Sequence, residues 1–231
     1  MLRVGLTGGL GSGKSTVGQL FADCGAYILS ADAIGREMMQ PGQPVYAAIL
    51  ESFAGEPNAP PLTLPDGGLD RAALARYAFA TGRIRELNRI VHPAVVAEQQ
   101  RRIAAIADAD GGALVVVESA LIFEAEQEGR VPGFRERFDR LILVTAPEEA
   151  RVQRFIARLS AGRVLTAEER TALEQDARRR IAAQMPDAQK IPFCDFVIEN
   201  SGSAEELKQR VERICAALKA AQAREADPLR G

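Results

Sequence analysis

The sequence predicts an α/β fold of three layers, with a five-stranded parallel sheet, a helical insertion and a helical lid. Three observations predict it. Five short apolar runs lack the alternation of a one-sided sheet, as expected of strands covered on both faces. Helical patterns lie between these runs, so parallel strands joined by helices are the economical solution. A glycine-rich segment falls between the first run and the first helix, at the strand end where such sheets bind ligands.

The first strand is expected at Leu2–Thr7 and the first helix at Lys14–Asp23. Between them, Gly8-Gly9-Leu10-Gly11-Ser12-Gly13-Lys14-Ser15 matches G-x-x-x-x-G-K-[ST]. Glycines let such a backbone turn tightly and aim its N–H groups at anionic oxygens. The helix that follows adds the positive end of its dipole. Gly11, Ser12, Gly13, Lys14, Ser15 and Thr16 are therefore the expected ATP-binding residues, and the fold class becomes that of the P-loop NTPases. Lys14 would reach the β- and γ-phosphates, and the Ser15 hydroxyl would ligate Mg²⁺.

The second strand is expected at Tyr27–Ser30 and the third at Ala113–Glu118, some eighty residues later. That connection is too long for a simple crossover. Its clearest helices are Asp70–Ala80 and Pro93–Ala109, with Pro93 placed to start the latter. Asn58–Gly68 carries prolines and Asp-Gly and is expected to be a loop. Residues 32–110 are thus expected to form a helical insertion beside a core of 1–31, 111–147 and 187–222. Leu141–Thr145 is the fourth strand and Phe196–Glu199 the fifth. Residues 148–186 hold two helices, Glu148–Leu159 and one opening on the capping box Thr166-Ala167-Glu168-Glu169. The break at Ala161–Arg163 and an abundance of arginine suit a lid over a nucleotide. Ser203-Ala204-Glu205-Glu206 opens a last helix whose Leu207, Val211, Ile214, Cys215 and Leu218 form one apolar face. The tail, 223–231, is polar and expected to fray.

Apolar residues make up 47% and charged residues 26% of the 231, ordinary values for a soluble domain. A net charge of −2 argues against nucleic acid or an anionic membrane as the main partner. No run approaches the roughly 18 apolar residues of a membrane span. Cys24, Cys194 and Cys215 are odd in number and far apart, and the lone His92 completes no zinc site with them. Buried thiols in a reducing cytosol are expected. A functional loop at residue 8 leaves no room for a cleaved leader, so the location expected is cytoplasmic. A monomer or weak homo-oligomer is expected.

Phosphoryl transfer needs an acceptor, an orienting or basic group, and positive charge for the equatorial oxygens. Asp32 lies two residues past the second strand and, if that strand neighbours the first, faces the γ-phosphate. It is either a base for an acceptor hydroxyl or the N-cap of the following helix. Glu118 ends the most apolar strand, in the position that holds Mg²⁺ directly or through water; the alternative is a plain strand-end charge. Glu124 and the acidic stretch to Glu128 read as a solvated turn. Arg151, Arg154 and Arg158 share one side of a helix, and Arg178-Arg179-Arg180 follow in the next. They are either phosphate contacts or a solvated face. His92 is either structural or a substrate contact from the insertion.

Together these residues form a set that resembles the dephospho-CoA kinases. The resemblance rests on Val4-Gly5-Leu6-Thr7-Gly8-Gly9-Leu10-Gly11-Ser12-Gly13-Lys14-Ser15-Thr16, Ser30-Ala31-Asp32-Ala33-Ile34-Gly35-Arg36 and Pro41-Gly42-Gln43-Pro44. Leu69-Asp70-Arg71, Val91-His92-Pro93, Ala120-Leu121-Ile122-Phe123-Glu124, Gln153-Arg154 with Arg158, Ile181 through Gln184, and Asp195-Phe196-Val197-Ile198-Glu199-Asn200 complete it. It spans residues 2–208. The resemblance implies transfer of the γ-phosphoryl group of ATP, with Mg²⁺, to the 3′-hydroxyl of dephospho-CoA. It implies Asp32 as the base. Lys14 is expected to act with it, lid contacts are expected from Arg151, Arg154, Arg158 and Arg180, and substrate contacts from Arg36 and His92. Three departures stand out: Ser30 replaces the first Asp of Asp-Ala-Asp, Glu118-Ser119-Ala120 replaces Asp-x-Pro, and the lid is longer than usual between Ser160 and Arg178. The rival readings are a nucleoside, shikimate or gluconate kinase, and a GTPase-like switch, for which no Asn-Lys-x-Asp is present.

Overall fold

The computed structural model describes all residues except 57, 58, 128, 130 and 227–231, together with the backbone alone of 225 and 226. Five strands, β1 (Leu2–Thr7), β2 (Tyr27–Ser30), β3 (Leu114–Glu118), β4 (Arg140–Thr145) and β5 (Phe196–Glu199), pair in parallel in the order β2-β3-β1-β4-β5. The register sets Leu6 and Ser30 both opposite Glu118, and Thr7 opposite Leu143. All strands therefore finish at one edge, and the residues that follow them meet there. Because β3 lies between β1 and β2, the adjacency on which Asp32 was expected to face the phosphates does not hold. Asp32 reaches that edge by register instead.

Alternate residues of each strand face opposite layers. Val4, Leu6, Val116, Ile142 and Val144 pack against α1 (Lys14–Asp23) and α11 (Ala204–Ala226) through Val17, Phe21, Val211, Cys215 and Leu218. Val115, Val117 and Leu141 pack on the other face against Ile103, Ile122, Phe123 and Phe138. The central strands β1, β3 and β4 are thus covered on both faces, which is why they are mostly apolar, while the edge strands β2 and β5 stay partly exposed. The α11 helix runs to Ala226, past the expected fraying point at Ala223, and residues 227–231 lie outside the described residues.

Between β2 and β3 lie α2 (Ala31–Met38), α3 (Pro44–Phe53), α4 (Arg71–Ala80) and α5 (Ile84–Ala109). They close on a core of their own, with Val45, Ile49, Phe53, Leu62, Leu69, Leu74 and Ala78. Pro93 does not start the last helix; it lies inside a helix of 26 residues. An internal proline removes one hydrogen bond and costs about 3 kcal/mol. Burial on both sides of it offsets that cost: Leu87, Ile90 and Val91 before it join the insertion core, and Val95, Val96 and Ile103 after it are buried. Of the expected loop Asn58–Gly68, Asn58 lies outside the described residues and the rest is irregular apart from one bridge, Thr63 to Leu69.

After β3 come α6 (Ile122–Gln127) and α7 (Phe134–Arg137); after β4 come α8 (Glu148–Ser160), α9 (Ala167–Ala182) and α10 (Asp187–Lys190). Ala161, at φ 49°, and Gly162, at φ 82°, turn the chain between α8 and α9. The capping box at Thr166 forms in both directions with Glu169. Val152, Phe155, Ile156 and Ala177 join the two helices in a small apolar core.

Candidate active site

The loop between β1 and α1 adopts a shape that only glycine supplies without strain. Gly11 and Gly13 take φ of 71° and 95°, in the left-handed region. A Cβ on Gly11 would overlap the backbone carbonyl of Arg151, and one on Gly13 would overlap the Asn200 side chain. Inside the loop, the Lys14 ammonium reaches back to the Gly9 carbonyl at 3.2 Å. Burial lowers the Lys14 pKa, and the carboxylates of Glu118 and Asp32 work against that shift. Thr7 Oγ1 and Ser12 Oγ are buried with no hydrogen-bond partner. With the first-turn N–H groups of α1, which no helix satisfies, these groups form a cradle suited to a triphosphate. Thr16 lies exposed in that first turn.

Two carboxylates flank the cradle. The Ser15 hydroxyl donates to Glu118 Oε1 at 2.7 Å, joining the two residues expected at Mg²⁺. A Mg²⁺ at a nucleotide site takes one or two protein oxygens and leaves the rest to phosphate and water. The pair supplies that many hard donors, and no cluster of three ligating side chains occurs among the described residues. Ser15 and Glu118 therefore fit a nucleotide-borne Mg²⁺. The N-cap of α2 is Ser30, whose hydroxyl accepts from the Ala33 N–H. Asp32, in the first turn, is exposed and does not serve as the cap.

The arginines divide by what they touch. Arg151 is buried, and its Nε donates to the Leu10 carbonyl at 2.8 Å. Arg154 Nη1 donates to the Gly11 and Ser12 carbonyls and its Nη2 to the Asn200 carbonyl. Asn200 Nδ2 donates to the Ser12 carbonyl at 2.9 Å, and Gln184 Oε1 accepts from the Leu10 N–H at 2.8 Å. These four side chains hold the phosphate loop from outside. Arg158 and Arg180 are exposed over the Phe155 ring, and Arg180 pairs with Asp176 at 2.8 Å. Glu124 is not in a solvated turn. It accepts from the Met185 N–H and lies 3.2 Å from Lys190 Nζ, a lysine fully buried in the fold. Glu128, at the end of that acidic stretch, lies outside the described residues.

A cavity of about 680 Å³ opens beside the cradle. Asp32, Arg36, His92 and Arg180 line it, so four expected site residues from three separate elements meet there. Val91, Val95 and Val96 of α5 supply an apolar wall. Arg71 and Arg137 also line it. Sequence reasoning gave neither a role. Arg137 sits in a charged Arg-Glu-Arg run that reads as surface, and only the fold buries it.

A parallel sheet ending in a phosphate cradle, with a carboxylate in the adjoining cavity, defines a P-loop phosphotransferase of the small-molecule kinase class. The dephospho-CoA kinase family model matches residues 2–206, and the chain belongs to that family. A dephospho-CoA kinase of Corynebacterium jeikeium is 38% identical over 213 residues, covering 92% of this chain and 97% of the relative. One of Mycolicibacterium paratuberculosis is 40% identical over 215 residues, but the chain spans only 46% of its length. A crystal structure from Thermus thermophilus matches with a TM-score of 0.65 at 30% identity, covering 94% of this chain and 97% of that one. The family's reaction is the ATP-dependent phosphorylation of dephospho-CoA to coenzyme A, and the nucleoside, shikimate or gluconate alternatives are not favoured.

Proposed function

We propose that this chain carries out that reaction with Asp32 as general base and the loop of Gly11, Ser12, Gly13, Lys14, Ser15 and Thr16 as the phosphate cradle. The observation that carries the reading is the placement of Asp32 in the cavity beside the cradle, within electrostatic reach of Lys14. The 3′-oxygen of dephospho-CoA attacks the γ-phosphorus, Asp32 takes the hydroxyl proton, and the bond from γ-phosphorus to the β,γ-bridging oxygen breaks to release ADP. Lys14 and the loop N–H groups balance charge on the phosphates through the transfer. Ser15, with Glu118, would hold Mg²⁺, which neutralises phosphate charge when bound. Arg151 and Arg154 act by holding the loop carbonyls. Arg158 and Arg180, exposed on the lid helices, are the cations that would reach phosphate, Arg180 after leaving Asp176. Arg36 and His92 contact the acceptor. The free thiols suit a cytosolic enzyme. No helix among the described residues is long and apolar enough to cross a membrane.

Coupled ADP release, measured against a panel of acceptors, tests the reading. Dephospho-CoA is expected to stimulate release, and nucleosides and shikimate are not. Asp32→Asn is expected to lower kcat by roughly 10²–10⁴ while the KM for ATP stays near the wild-type value. Unchanged turnover in that variant would remove Asp32 from the role.

A further inference from the structure

Most buried or half-buried arginines in this protein have an acid to answer them. Arg3 meets Asp139, Arg83 meets Glu86 and Arg151 meets Asp187. Arg137 does not. It is 3% exposed, and among the described residues no carboxylate lies within ion-pair distance of it. One hydrogen bond holds it, from Nη2 to the Ile122 carbonyl at 3.0 Å, and the Phe138 ring stacks at 5.2 Å. Its Nε is buried with no partner. The Glu126 charge favours the protonated guanidinium from outside ion-pair distance, and its Oε2 accepts the Phe134 N–H at 3.2 Å. Burial lowers the Arg137 pKa, yet a guanidinium keeps its proton in proteins. A buried cation without an ion pair is costly to hold until a counter-charge arrives.

The group also lines the cavity of about 680 Å³, where Asp32 is the one acidic lining residue among the described residues. Arg36 and Arg71, on the same cavity, are exposed and solvated, and Arg180 already holds Asp176. Of these four, only Arg137 is both fixed and without an ion pair among the described residues.

We infer that Arg137 is the anion anchor of the acceptor cavity, binding the diphosphate of dephospho-CoA while the 3′-hydroxyl of the same molecule lies at Asp32. The inference rests on the proposed function. A guanidinium fork matches paired phosphate oxygens, and a dry setting strengthens such hydrogen bonds. The anchor explains how the protein tells this acceptor from an uncharged nucleoside: without the diphosphate, the cation stays buried and unpaired.

Two variants test it, Arg137→Met, which keeps volume and removes charge, and Arg137→Lys, which keeps charge and removes the fork. Steady-state kinetics with each substrate varied in turn are read beside the thermal midpoint and beside calorimetric binding of dephospho-CoA. Arg137→Met is expected to raise KM and Kd for dephospho-CoA roughly 10- to 100-fold, with KM for ATP within about twofold and the thermal midpoint level or higher. Arg137→Lys is expected to fall between, and it carries the test alone if the Met variant does not fold. Unchanged KM and Kd for dephospho-CoA in a folded variant would overturn the anchor. So would a rise in KM for ATP equal to that for the acceptor, which would make Arg137 a structural or nucleotide group. If the wild type shows no ADP release with dephospho-CoA, the reaction itself is misassigned, an outcome separate from either result for Arg137.

Discussion

One methyl group separates Gly11 from alanine, and the phosphate loop has no room for it. The backbone there is left-handed, and the obstacle is the Arg151 main chain rather than a flexible side-chain end. Gly11→Ala is expected to lower stability by roughly 2–4 kcal/mol, from αL strain and overpacking together. Chemical denaturation reads that loss directly, and ATP affinity falls with it. A stability change under 0.5 kcal/mol would mean the loop relaxes freely. The need for glycine at this position is legible in the motif. The identity of the obstacle is not, because Arg151 stands 140 positions away in the chain.

At the scale of elements, the joint between α8 and the phosphate loop decides what the arginines do. Arg151 and Arg158 share a helix face in sequence, but only Arg151 reaches the Leu10 carbonyl and Asp187. Arg151→Ala is expected to destabilise the nucleotide-free protein by about 1–3 kcal/mol, because it strands a half-buried carbonyl and carboxylate. Arg158→Ala is expected to shift the same midpoint by less than about 0.5 kcal/mol. Equal midpoints for the two would mean that Arg151 supports no loop and acts on bound nucleotide alone. A second joint ties β1 to the start of β4, where Arg3 donates to Asp139 through its guanidinium and its backbone N–H. Burial raises the Asp139 pKa, but these hydrogen bonds outweigh it and leave the carboxyl below the usual range. A depressed pKa stabilises the fold above the unfolded value, and that stability is lost as pH falls through the folded one. Asp139→Asn is therefore expected to cost about 1 kcal/mol near pH 7 and progressively less as pH drops below 4. A penalty that stayed constant with pH would rule out the charge as its source.

For the molecule as a whole, the insertion carries its own core beside those of the sheet. Phe53, fully buried in that core with the Arg83 guanidinium 4.3 Å from its ring centroid, is a clean handle on it. Phe53→Ala is expected to cost roughly 3–4 kcal/mol. Amide exchange should quicken in α3 and α4 and stay slow in β1 and β3. The acceptor KM should rise more than that for ATP, since α2, α4 and α5 line the acceptor cavity and the phosphate loop belongs to the sheet. Uniform loss of protection across sheet and insertion would show the two to be one cooperative unit.

Much of this architecture is local and so can be read along the chain. Strands buried on both faces must be apolar, helices must cap their ends, and a phosphate loop must place its glycines and lysine within a few residues. Those rules are carried by Leu2–Thr7, by Thr166 with Glu169 and by Gly11 through Ser15. Tertiary packing decided what depends on distant partners. It continued α5 through Pro93 because both flanks are buried, and it assigned the α2 cap to Ser30 and left Asp32 to the cavity. It turned Arg151 and Arg154 onto loop carbonyls. It also drew Arg137 out of a charged run into the interior. The cost of placing a charge depends on what surrounds it, and in this protein those surroundings come from segments remote in the chain.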